Sequence, residues 1–200
     1  MQKALDIFRE SIGRVEHLAG LYRAMASLTT PVVDSSDLLR AQIVLAVSAL
    51  DFYVHEVVAL GMIEVYKGIR PPTSAFDKYR ISAGAMMAGR PSGGTTWLEA
   101  EIRERHSFLS FQQPDKIADA IRLFSNLDLW KSVGKDLCQD DTAVKSMLKL
   151  IVDRRNKVAH EADLDPSYPG ARWPIYEGDT AQSRKFISDL VESIHRTIVK

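Results

Sequence analysis

The stretch Leu39-Arg40-Ala41-Gln42-Ile43-Val44-Leu45-Ala46-Val47-Ser48-Ala49-Leu50-Asp51-Phe52-Tyr53-Val54-His55-Glu56 decides the fold. It is the heart of a longer segment, residues 38–67, whose apolar side chains cover most of a helix circumference rather than one stripe. A helix apolar on most sides belongs in the middle of a bundle. Ser35, Ser36 or Asp37 is placed to cap its start, and Gly68 with the pair Pro71-Pro72 to stop it. The run 41–66 is long enough to cross a bilayer, but it carries Asp51, His55, Glu56 and Glu64. Those charges favour a buried central helix, and no membrane segment is expected.

Working outward, Leu5, Phe8, Ile12, Val15, Ala19, Tyr22 and Ala26 recur at three-and-four spacing, the stripe of a long helix that ends near Thr29-Thr30-Pro31. Past the central helix the pattern breaks around Gly84, Gly89, Pro91, Gly93 and Gly94, so residues 69–96 read as an irregular excursion with one short helical turn near 76–81. Helical periodicity resumes over 97–111, restarts after Pro114 through 124, and returns briefly over 129–137. Thr142 is placed to cap the next helix, and Pro166, Pro169, Gly170 and Pro174 force a loop after it. Asp179 with Gln182 resembles a capping box, and Ile187, Leu190, Ile194 and Ile198 line one face of the last helix. The pattern contains no convincing strand and no repeat. It predicts an all-α bundle of four to five main helices plus short extra ones, in a single domain over residues 1–200.

The 200 residues are 46% hydrophobic, enough for one sizeable core. The formal net charge is zero, so any contact with nucleic acid must come from a local cluster rather than a basic face. The single cysteine, Cys138, forms no internal disulfide and reads as packing, while the amino terminus reads as an amphipathic helix rather than a signal peptide. A reducing, cytoplasmic setting is the expectation.

The chemistry concentrates in Arg155-Asn156-Lys157-Val158-Ala159-His160. A guanidinium grips phosphate through a planar fork of donors, and an imidazole moves protons near neutral pH. On a helical wheel Arg155 falls in the middle of an apolar arc formed by Val144, Met147, Leu148, Ile151, Val152, Val158 and Ala159. A charge there needs an acid, backbone carbonyls or a groove shared with another surface. His160 lies about 140° around from Arg155. The two converge on one phosphate if a bend at the helix end helps, or if a second copy supplies the missing partner, as a twofold homodimer does. Asn156 is four residues before His160, on its side of the helix, where its amide could fix the imidazole or bind a phosphate oxygen. Arg154 and Lys157 flank the motif as candidate substrate-binding cations. Glu161 and Asp163, with the helix carboxyl end, favour the imidazolium that a general acid requires. These roles fit metal-free RNA cleavage: a 2′-hydroxyl attacks its own phosphate, a base removes its proton, and an acid protonates the leaving 5′-oxygen.

Other candidates read more plainly. Asp51 and His55 share a face of the central helix and could bind a metal or orient Arg155, but a satisfied buried polar pair is favoured. His55-Glu56 lacks the second histidine of a zinc-protease helix, and Glu192 to His195 is a lone Glu-x-x-His, so no metal or other cofactor is expected. Arg103, Arg105 and His106 read as a solvated helical face, and Trp97, Trp130 and Trp173 as core or interface anchors.

Arg155, Asn156 and His160 match the arginine, polar residue, three variable positions and histidine of the HEPN superfamily, which this chain resembles. Residues 39–56 also resemble the second helix of its RiboL-PSP branch. The likeness is good over 38–65 and 145–161 and loose over 69–96 and 97–139. It implies a helical bundle that dimerises through the motif helices, with metal-independent endoribonuclease activity in toxin or defence systems. RNA is then the substrate, and an antitoxin or other regulatory protein a further partner. Many members of the superfamily are catalytically silent and serve as RNA-binding or scaffolding modules, which is the alternative reading.

Overall fold

The computed structural model describes residues 1–30, 32–89 and 93–199. Among them are nine helices: α1 (Gln2–Leu28), α2 (Ser36–Tyr66), α3 (Ser74–Asp77), α4 (Ala83–Gly89), α5 (Thr96–His106), α6 (Pro114–Arg122), α7 (Leu129–Asp136), α8 (Asp141–His160) and α9 (Glu177–Ile198). There is no strand among the described residues, and one isolated antiparallel bridge joins Leu164 and Arg172. The protein is an all-α helical bundle.

Helix α2 is the axis, touched by α1, α5, α6, α8 and α9. By length and composition it could cross a membrane, but Tyr53, Val54, Val57 and Val58 in its middle are fully enclosed by neighbouring helices. Phe8 of α1, Leu148 of α8, and Ile187, Leu190 and Ile194 of α9 meet it in one apolar cluster. Gly68 ends α2 because it adopts φ 71°, which lets its N–H reach Val65 O and that of Ile69 reach Glu64 O.

Several local expectations need correction. Ser35 stands at the start of α2 without a side-chain cap; the carboxylate of Asp34 accepts from Ser36 N instead. Asp140, not Thr142, caps α8 by accepting from Ala143 N, since a carboxylate one residue before the helix reaches the free N–H groups of its first turn. No side chain caps α9, so the Asp179 and Gln182 pattern was not a capping box. The stripe of α1 is buried only through Ala19; Tyr22 is half-buried and Ala26 exposed, because the helix outruns the core. The excursion holds two helices rather than one turn. In it Thr73 caps α3, and Gly89 of α4 lies so close to the Trp97 ring that a side chain has no room. Pro31 and Pro91, read as breakers, lie outside the described residues.

Candidate functional site: the carboxyl end of helix α8

Helix α8 plants Val144, Leu148, Ile151 and Val152 in the core and then runs past it. Its last turns therefore carry the motif at the surface: Arg155, Asn156, Lys157 and Val158 are half-buried, Ala159 and His160 exposed. Arg155 Nη1 donates to Asn156 Oδ1 at 2.9 Å, and its Nε is buried with no acceptor among the described residues. It faces no carboxylate. Of the described arginines only Arg155 and Arg80 lack an ion pair. An uncompensated, partly buried cation is electrostatically expensive.

Its neighbour Arg154, expected among the substrate-binding cations, is already engaged within the chain. Arg154 Nη2 donates to Asp163 Oδ2 at 2.9 Å and lies near the carbonyls of Trp173 (3.3 Å) and Pro174 (3.1 Å). Burial pulls its pKa below the ordinary guanidinium value, the Asp163 charge pushing back and Arg40 adding to the drop. Lys157 sets its ammonium 4.7 Å above the Trp173 ring, which leaves its charge near the surface while using the stem for packing.

The hub is Asp163, only 1% exposed. Its Oδ2 also accepts from Arg40 Nε at 2.6 Å, and Arg40 reaches Ser36 Oγ at 2.6 Å and Trp173 O at 2.9 Å. Ala162 and Asp163 both take left-handed backbone (φ 51° and 57°), turning the chain sharply after the motif so that Asp163 N returns to Lys157 O. The same residue thus ties α2, α8 and the following loop together. Arg172 pairs with Asp34 and Asp37 and fastens that loop to the start of α2.

The carboxylates expected to support His160 do not reach it. Asp163 is committed to the two arginines, and the exposed Glu161 side chain makes no hydrogen bond or ion pair with a described residue. His160 likewise makes neither, and Asn156 contacts Arg155 rather than the imidazole. Within one protomer Arg155 and His160 share the helix end but do not touch.

Asp51 does not orient Arg155. Its Oδ1 accepts from Phe111 N at 2.6 Å and its Oδ2 from Gln112 Nε2 at 2.9 Å, with His55 Nε2 at 3.7 Å. The pair pins the α5–α6 connection, the buried polar reading. His106 is buried rather than solvated, packed against Tyr79, His55 and Phe111, and desolvation with the adjacent His55 pushes its pKa down to about 4. Arg103 and Arg105 are held by Glu56, Glu99 and Glu101. Glu192 pairs with Arg9, and His195 Nδ1 lies 3.0 Å from the Tyr53 hydroxyl. Cys138 is exposed, not packed. Trp130 is a core anchor, its Nε1 donating to Pro114 O. Among the described residues no group of three or more His, Cys, Asp or Glu is arranged to hold a metal.

The role of Arg40 was missed, although an arginine inside the most apolar helix signals a buried acidic partner. Fold and helix-end motif together define a HEPN-type helical domain. The chain matches the RiboL-PSP-HEPN family model over residues 9–200 and belongs to that family. No curated protein and no solved structure matches it.

Proposed function

We propose that the protein is a metal-independent endoribonuclease of toxin or defence type, working in the cytoplasm as a homodimer. The observation that carries this reading is the guanidinium of Arg155, partly buried and without a carboxylate, on the helix that ends in the exposed His160. A phosphodiester supplies the anion that Arg155 lacks. The ribose 2′-oxygen attacks phosphorus, the bond to the 5′-oxygen breaks, and the products are a 2′,3′-cyclic phosphate and a 5′-hydroxyl. One His160 takes the 2′-proton and the other returns a proton to the leaving oxygen, so the proton count balances across a twofold cleft. Arg155 stabilises the charge on the phosphorane, and Asn156 holds that guanidinium in place. An antitoxin or other regulatory protein would restrain the activity.

A catalytically silent RNA-binding or interaction module is the competing reading, since a dimer interface would also satisfy the orphan Nε. Pairing one wild-type chain with one His160→Ala chain separates the two. A shared cleft predicts that the wild-type homodimer cleaves RNA and that this heterodimer, left with a single His160, loses cleavage. Heterodimers that keep half or more of the wild-type activity would refute the composite site, as would a wild-type chain that leaves RNA intact or remains monomeric at micromolar concentration.

A further inference from the structure

Lys157 and Trp173 stand together at the end of α8, the ammonium 4.7 Å from the ring centroid. Among the described residues Lys131, Lys145 and Lys185 have carboxylate partners, whereas Lys157 has none. Glu161, four residues on and exposed, does not reach it. The charge is therefore paired with an aromatic face alone, which attracts it without neutralising it.

The indole Nε1–H of Trp173 supplies the second observation. It donates to no described residue, and neither it nor the Lys157 ammonium is shut away from solvent. The backbone beneath it is fixed: Trp173 N–H donates to Asp163 O at 2.8 Å, and Trp173 O accepts from Arg40 Nη2 at 2.9 Å. Two open donors on a pinned frame, with no acceptor between them, suit an anion.

Position selects which anion. Helix α8 stays regular through His160, which falls about 140° from Arg155 and about 60° from Lys157, between the two. Arg155 Nη2 is likewise open and unpaired. The two cations lie about 160° apart around the helix, so one carboxylate or one phosphate does not serve both. A strand of phosphates does, and it then crosses the imidazole. We propose that Lys157 Nζ and Trp173 Nε1 form a second phosphate site, which holds an RNA phosphate neighbouring the scissile one and draws the strand across the end of α8 past His160. The choice of RNA rests on the ribonuclease reading. Contacts of this kind fix register and carry no base preference.

A short fluorescein-labelled 2′-O-methyl oligoribonucleotide, which lacks the attacking hydroxyl, tests the site without turnover. The full chain is titrated against it at several salt concentrations and followed by anisotropy. Lys157→Gln is expected to weaken binding about tenfold and to lower the slope of log affinity against log salt by about 0.7, the counterion release of one single-strand phosphate. Lys157→Arg keeps both. Trp173→Phe leaves a ring under the ammonium but removes the N–H, so binding weakens about fivefold at an unchanged salt slope. A tryptophan with a structural role alone leaves binding as in wild type. Should Trp173→Phe fail to fold, Lys157→Gln still decides, since it alters an unpaired, solvent-open side chain. Lys149→Gln, exposed two turns earlier on the same helix, is expected to change nothing. An unchanged slope in Lys157→Gln, an equal loss in Lys149→Gln, no binding by the wild-type chain, or tighter binding of poly-glutamate at equal charge overturns the site. Wild-type cleavage and binding in Lys157→Gln remove the site and leave the nuclease; RNA held through Lys157 and never cut does the reverse.

Discussion

Arg154 and Asp163 close a 2.9 Å ion pair across the end of the motif helix, and the same carboxylate oxygen holds Arg40 at 2.6 Å. Adjacent arginines therefore differ: Arg154 builds the helix end, whereas Arg155 has no ion pair and, on the proposed function, takes the substrate phosphate. Urea unfolding distinguishes them. Asp163→Ala leaves the buried Arg40 with only the exposed Asp37 carboxylate, 3.7 Å away, as a counter-charge and is expected to cost about 3 kcal/mol. Arg154→Ala removes one of two donors to a surviving pair and should cost about 1–3 kcal/mol. Arg155→Ala should stay within about 1 kcal/mol of wild type, having broken no ion pair, while removing cleavage.

His106 makes stability fall in mild acid. Its pKa is 6.5 when unfolded and about 4 when folded, because burial penalises the imidazolium. Between those values the unfolded chain binds a proton that the folded chain refuses, so stability present above pH 6.5 is lost as pH falls toward 4. The loss is on the order of 2–3 kcal/mol. His106→Gln keeps an acceptor for the Tyr79 hydroxyl and should flatten this part of the curve. An unchanged slope would place the acid sensitivity elsewhere, His195 being depressed in the same direction by burial.

Cys138 sits where helices prefer glycine. It follows α7 with φ 53°, its N–H reaching Lys135 O while that of Gln139 reaches Gly134 O. Cys138→Gly removes the left-handed penalty on an exposed residue and should raise stability by about 1 kcal/mol in thermal unfolding.

Two helix glycines should respond with opposite sign. A Cβ on Gly61 of α2 would come within 2.3 Å of the Phe124 ring, so Gly61→Ala is expected to cost about 1–3 kcal/mol. Nothing lies within 4 Å of a Cβ on Gly13 of α1, and Gly13→Ala should gain about 0.5–1 kcal/mol. Denaturant midpoints report both.

The helices were legible where packing follows periodicity. Residues 39–56 announce the bundle axis because a surface helix has no use for apolar side chains on every side, and Ile187, Leu190, Ile194 and Ile198 announce the inner face of α9. Helix α4 was hidden because its Ala, Gly and Met residues give no stripe and its stability comes from packing on α5. Caps were misassigned because several carboxylates and hydroxyls crowd each helix start and only geometry selects among them. The motif was legible as a pattern, but the division of labour between Arg154 and Arg155 was not. It depends on a chain reversal through left-handed backbone at Ala162 and Asp163, with no glycine to announce it, and on an arginine 123 positions from its acidic partner.

The central claim concerns cleavage without a metal. A 5′-labelled RNA incubated in excess chelator with the wild-type chain should yield fragments ending in 2′,3′-cyclic phosphate, and His160→Ala should yield none while keeping the wild-type melting temperature. Intact RNA with the wild-type chain, or equal cutting by the variant, would contradict the account.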